Sequence, residues 1–142
     1  MRPLARGSEG SQEYAPSCAS PECHAAMPQL RLRILFDPEG HIGPGKVELL
    51  EGIARLGSIA AAGRAMGMSY RRAWELVEEM NRIFGAPVAA TQSGGRQGGG
   101  ASLTPLGSRV VRHFRAAEAA AEAAVAGDMA ALQAEVQRAD LG

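Results

Sequence analysis

With 142 residues and 15 basic against 15 acidic side chains, the chain has room for one domain with tails and no net charge to draw it as a whole to nucleic acid or membrane. No apolar run approaches the roughly 20 residues of a membrane-spanning helix, and the N-terminal MRPLARGSEGSQEY lacks the apolar stretch of a secretory signal, so a cytoplasmic protein is expected. Cys18 and Cys23, five positions apart, make no disulfide framework for a chain of this length.

Charge is not evenly spread. Residues 1–29 hold two Arg against three Glu, residues 30–112 eleven basic against seven acidic side chains, and residues 113–142 two Arg against five acids. The positive excess therefore sits in the middle, and phosphate binding depends on such local groups. Residues 1–29 are rich in Pro, Ser, Gly, Glu and Ala without periodicity and are expected to be a disordered tail.

Leu30 to Phe36 alternates apolar and basic before running apolar, which predicts a short strand. Asp37 to Gly45, with three glycines and two prolines, predicts a loop. Pro44 suits the start of a helix in which Leu49, Ile53 and Leu56 form one buried stripe and Gly57 marks the end. Ser58 is positioned to cap a small second helix, Ile59 to Met66, whose alanines and Gly63 permit close packing. Gly67 then allows a tight turn, and Ser69 caps a third helix to about Phe84.

The third helix divides by face. Ala73, Val77, Met80 and Phe84 make an apolar stripe flanked by Tyr70 and Trp74; Arg71, Glu75, Glu78 and Arg82 lie opposite, with Arg72 and Glu79 beside them. Val88–Gln92 and Ala101–Leu103 predict two strands around a flexible tip at residues 93–100 that carries five glycines, Arg96 and Gln97. Thr104 caps and Pro105 begins a last helix. Gly127-Asp128 predicts a break in it, with Met129, Leu132 and Val136 on a further short helix. This order describes a mainly α fold with a small β wing, a winged helix-turn-helix.

In such a motif the N-terminal residues of the second helix meet base edges, here Ser69, Tyr70, Arg71 and Arg72. An Arg fork reads guanine, and the hydroxyls suit phosphate. A solvated face, with Arg71 and Arg72 paired to Glu75 and Glu79, is the competing reading. Arg96 on a glycine-flanked tip can follow the backbone or enter a narrow minor groove.

Gly57-Ser58-Ile59, Ser69-Tyr70-Arg71-Arg72-Ala73-Trp74, Glu79-Met80-Asn81 and the tip Gly94 to Gly100 leading to Leu103-Thr104 resemble the N-terminal DNA-binding domain of the molybdate-responsive ModE family of bacterial regulators. The resemblance runs from about Leu35 to Phe114, and is more distant to the LysR-type winged helix. It implies a homodimer on a near-palindromic site. The candidate DNA-binding residues are Ser58, Ser69, Tyr70, Arg71, Arg72, Arg96 and Gln97. The chain ends at Gly142 without the family's molybdate-binding domains, so the expectation is DNA binding without oxyanion sensing or any cofactor. The expected organisation is a tail at 1–29, a DNA-binding domain at 30–113 and a helical extension at 114–142 that supports dimerisation.

Three other features compete. Gly40 to Lys46 has phosphate-loop spacing, but Val47 offers no hydroxyl to magnesium and Pro44 removes a backbone donor. Cys18, Cys23, His24 and Met27 suit Cu(I) or Zn(II), which would make a metal- or redox-responsive regulator. The acids of the third helix suit a protein-binding adaptor. His24, His41 and His113 share no catalytic motif, so no enzyme is expected.

Overall fold

The computed structural model describes residues 28–95 and 98–141. The elements in order are β1 (Ile34–Phe36), β2 (Gly40–Ile42), α1 (Pro44–Leu56), α2 (Ile59–Ala65), α3 (Tyr70–Phe84), β3 (Ala89–Gly95), β4 (Gly98–Leu103) and α4 (Pro105–Leu141).

The core forms around α1. Val47, Leu49, Leu50 and Ile53 are fully buried there, a stripe too wide to face one neighbour, and α2, α3, β4 and the first turns of α4 all pack against it. Burying each such side chain contributes about 1.5–3 kcal/mol. Leu56, expected in this stripe, is exposed in the last turn. Gly57 closes α1 at φ 69°, its N–H donating to the Ile53 carbonyl, a left-handed geometry that favours glycine.

α2 starts at Ser58, whose Oγ accepts from Ala61 N at 3.2 Å, and α3 at Ser69, whose Oγ accepts from Arg72 N at 3.1 Å. Between them the N–H of Met68 donates back to the Gly63 carbonyl at 3.0 Å. Gly63 is also where α2 meets α3: a Cβ there would stand 3.0 Å from that of Ala73. The small residue lets the two helices approach, while Ala73, Val77 and Met80 bury α3's apolar face.

β3 and β4 pair antiparallel from Ala89↔Leu103 to Gln92↔Gly100, and again at Gly95↔Gly98 after an irregularity. Hydrogen bonds to the flanking segments fix the base of this hairpin. Asn81 Oδ1 accepts from Val88 N at 2.9 Å, Ala101 N donates to the Gly57 carbonyl at 2.8 Å, and Thr104 Oγ1 donates to the Pro87 carbonyl at 2.7 Å. Thr104 Oγ1 also accepts from Gly107 N, capping α4. Gly107 lies so close to the Val88 carbonyl that a Cβ would overlap it.

Several expectations are corrected. The fold class, mainly α with a small β wing in a winged helix-turn-helix, does not describe these elements: among the described residues, which are largely helical, there are two separate two-stranded antiparallel sheets. The added sheet arises because the predicted loop from Asp37 returns on itself, Gly40 to Ile42 pairing with Ile34 to Phe36. Gly40 has φ 136°, and a side chain there would meet Glu79. The tip predicted between two short strands is shorter than expected, since β3 reaches Gly95 and β4 starts at Gly98. The helix break at Gly127-Asp128 is absent: α4 runs for 37 residues. One glycine costs about 1 kcal/mol in a helix, which the surrounding alanines outweigh. The expected tail lies almost wholly outside the described residues.

Candidate nucleic-acid interface

Three bands run along α3. Ala73, Val77 and Met80 face the core. Tyr70 and Trp74 face a cleft shared with Ser58 and Ile59 at the start of α2 and with Thr91 to Ser93 of the hairpin. Their rings meet edge to face with centroids 6.2 Å apart, which fixes Tyr70 with its ring half exposed. Arg72, Leu76 and Glu79 face a second cleft, walled by Arg31 to Arg33, Met66 and Met68. Between the clefts stand Arg71, Glu75 and Glu78, all exposed. At 100° per residue the two clefts flank this exposed band.

The candidate residues divide accordingly. Ser58 and Tyr70 line the hairpin-side cleft, Arg72 lines the opposite one, and Arg71 projects between them with 90% of its side chain exposed. The hydroxyls of Ser58 and Ser69 already accept from their helix N-termini, which leaves their protons to donate. Arg96 and Gln97 lie outside the described residues. The solvated-face pairing holds in part: Arg71 Nε and Arg72 Nη1 each approach a Glu75 oxygen at 3.4 Å. One exposed carboxylate shared by two guanidiniums is a weak restraint.

Glu79 was expected beside the outer face and is instead turned inward. It pairs with Lys46 at 2.8 Å, and Lys46 also donates to the His41 carbonyl at 2.6 Å. Lys46 is only 6% exposed. The lysine of the phosphate-loop spacing is thus held by a carboxylate and a carbonyl, not offered to a nucleotide. The hydrogen bond from Lys46, reinforced by its charge, holds the Glu79 carboxyl below its ordinary range. Burial first, then the charges of Lys46 and Arg33, lowers the His41 imidazole. Across the molecule Arg115 joins α4 to α1 through Glu51 and braces itself on Glu118 at 2.7 Å, which holds the guanidinium firmly charged.

Sequence reasoning missed Arg31 and Arg33 as partners of this site. The signal was present: Leu32 and Ile34 turn inward, so the arginines alternating with them turn out. Among the described residues no group of three or more His, Cys, Asp or Glu is placed to hold a metal, and Cys18, Cys23, His24 and Met27 lie outside them. No helix among the described residues is long and apolar enough to cross a membrane.

The chain is 47% identical over 78 residues to the molybdenum-pterin-binding protein MopB of Rhodobacter capsulatus, covering 55% of this chain and 29% of MopB. It is 42% identical over 73 residues to the molybdenum transport protein ModE of Azotobacter vinelandii, covering 51% and 27%. It is 38% identical over 71 residues to the DNA-binding transcriptional dual regulator ModE of Escherichia coli, covering 50% and 27%. No family model matches. The chain spans less than a third of the length of these relatives. Their names describe binding, transport and regulatory proteins, not enzymes.

These relatives also correct the resemblance drawn from sequence. It assigned the chain to the N-terminal DNA-binding domain of ModE regulators, without molybdate-binding parts. The relatives include molybdenum-pterin-binding proteins, and the matches do not show a DNA-binding N-terminal domain. Neither the winged nor the LysR-type assignment is retained.

Proposed function

We propose that the chain is part of a transcriptional regulator that binds double-stranded DNA, with α3 in the major groove and the β3–β4 hairpin beside the sugar-phosphate backbone. One observation carries this reading. Arg71, in the first turn of α3, has 90% of its side chain exposed on the band opposite the buried face, between two clefts. A major groove about 12 Å wide admits one helix, and an Arg fork at its leading end reaches the O6 and N7 of guanine for about 1–3 kcal/mol of discrimination. Arg72, Tyr70, Ser69 and Ser58 beside it supply donors for phosphate, and Arg96 and Gln97, outside the described residues, complete the proposed set. The name of the Escherichia coli relative, a DNA-binding transcriptional regulator, supports the same reading. The molybdenum in its relatives' names makes molybdate the first effector to assay.

A homodimer is proposed with it. Residues 30–113 bind DNA, and residues 114–142 pair with a second copy. Only Gly107, Val110 and Phe114 of α4 are buried, while Leu132, Val136 and Leu141 are exposed. Leu132 and Val136 share one face by helical spacing, and a second α4 supplies the surface to cover them. Sedimentation should give twice the chain mass.

The test is fluorescence anisotropy of duplex DNA against salt. Wild type should bind with an affinity that falls steeply as salt rises, and Arg71→Ala with Arg72→Ala should abolish preference among sequences. Glu75 and Glu78, exposed on α3, favour a protein-binding adaptor as the second reading; absence of binding to any duplex selects it.

A further inference from the structure

α3 has no net charge: Arg71, Arg72 and Arg82 are matched by Glu75, Glu78 and Glu79. A helix of this balance can read bases, but it contributes little to the counterion release that drives binding to DNA. The cations that do so must stand beside it.

The cleft on the side of α3 away from the hairpin, about 510 Å³, has that composition. Arg31, Arg33 and Arg72 converge there, with Lys46 and Glu79 cancelling each other in its floor at 2.8 Å. Arg31 and Arg33 are exposed, and among the described residues neither makes an ion pair. Their placement is fixed by chain alternation: Leu32 between them and Ile34 after them pack on the core. The arginines therefore project together from a short anchored segment. That segment lies on the flank of α3 marked by Arg72, Leu76 and Glu79, while the hairpin lies on the flank marked by Tyr70 and Trp74.

Resting on the DNA-binding reading, we infer that Arg31 and Arg33 form a second backbone clamp, holding the phosphates of the strand across the major groove from the hairpin. A helix lying in the groove has a phosphate strand on each side. The hairpin meets one, and the segment before β1 meets the other. Arg31 and Arg33 set affinity and register, and Arg71 sets sequence preference.

The test uses the full chain with Arg31→Gln and Arg33→Gln together. A matched loss of charge on α4 outside both clefts, Arg112→Gln with Arg138→Gln, serves as control. Anisotropy is measured on a selected duplex and a scrambled one across a salt series. The log–log salt slope should fall by about 2, at roughly 0.9 per phosphate released, so that the wild-type advantage shrinks about tenfold for each fourfold rise in salt. The loss should be equal on both duplexes and absent from the control pair. A slope matching wild type or the control, with Arg71→Ala still erasing sequence preference, overturns the clamp and leaves DNA binding through α3 intact. The clamp is also overturned if the variant keeps duplex affinity but loses a wild-type affinity for inorganic phosphate, which makes the cleft a free-anion site. A wild-type chain that binds no duplex overturns both.

Discussion

Replacing Glu79 with glutamine removes the charge that faces Lys46 and should destabilise the protein by about 2–3 kcal/mol. Lys46 is 6% exposed and Glu79 24%, so water replaces little of the lost charge. The His41 carbonyl at 2.6 Å remains, which keeps the cost below that of a fully orphaned cation. For a domain of this size the melting temperature should drop by about 10–20 °C, read by circular dichroism. The double variant Lys46→Met with Glu79→Leu removes both charges and should recover more than half of the loss. The sign of the pH dependence follows from the carboxyl's lowered pKa, caused first by the Lys46 hydrogen bond. The stabilisation is complete above the ordinary value of 4.5 and is lost as pH falls through the lower folded value. Wild type and Glu79→Gln should therefore differ fully at pH 7, and the gap should narrow as pH falls below 4.5 and close below the lowered folded value. A gap that stays constant between pH 7 and pH 3, or a single variant as stable as wild type, refutes this reasoning.

Glu75→Gln frees Arg71 and Arg72 from weak exposed pairs worth together up to about 1 kcal/mol, so duplex affinity should rise about two- to fivefold while the melting temperature falls by no more than about 5 °C. Gly107→Ala drives a methyl group into the Val88 carbonyl; unfolding in urea should show a loss of about 3 kcal/mol. Asn81→Ala leaves the N–H of the fully buried Val88 without its acceptor and should cost about 1–3 kcal/mol, with faster amide exchange along β3.

Local chemistry was legible in the sequence and long-range pairing was not. Ser58, Ser69 and Thr104 each satisfy a donor three residues on, and the apolar stripe of α3 follows from its own spacing. Glu79 has the same spacing as an outward residue of α3; what turns it inward is Lys46, 33 positions earlier, which no periodicity encodes. β2 is three residues long and exists only because β1 is there to pair with it. In the site, Arg71 and Tyr70 could be named from helix position alone. That Arg31 and Arg33 turn outward is legible from the alternation with Leu32 and Ile34, but that they border α3 is not, because it comes from packing the segment before β1 against the flank of that helix.

Selection of bound duplexes from a random pool, run in parallel with wild type and Arg71→Ala, tests most directly whether α3 reads DNA. A groove-borne arginine requires an enriched site with a preferred guanine in each half, and loss of that guanine alone in the Arg71→Ala pool. No enrichment with wild type, or identical sites from the two proteins, would contradict it.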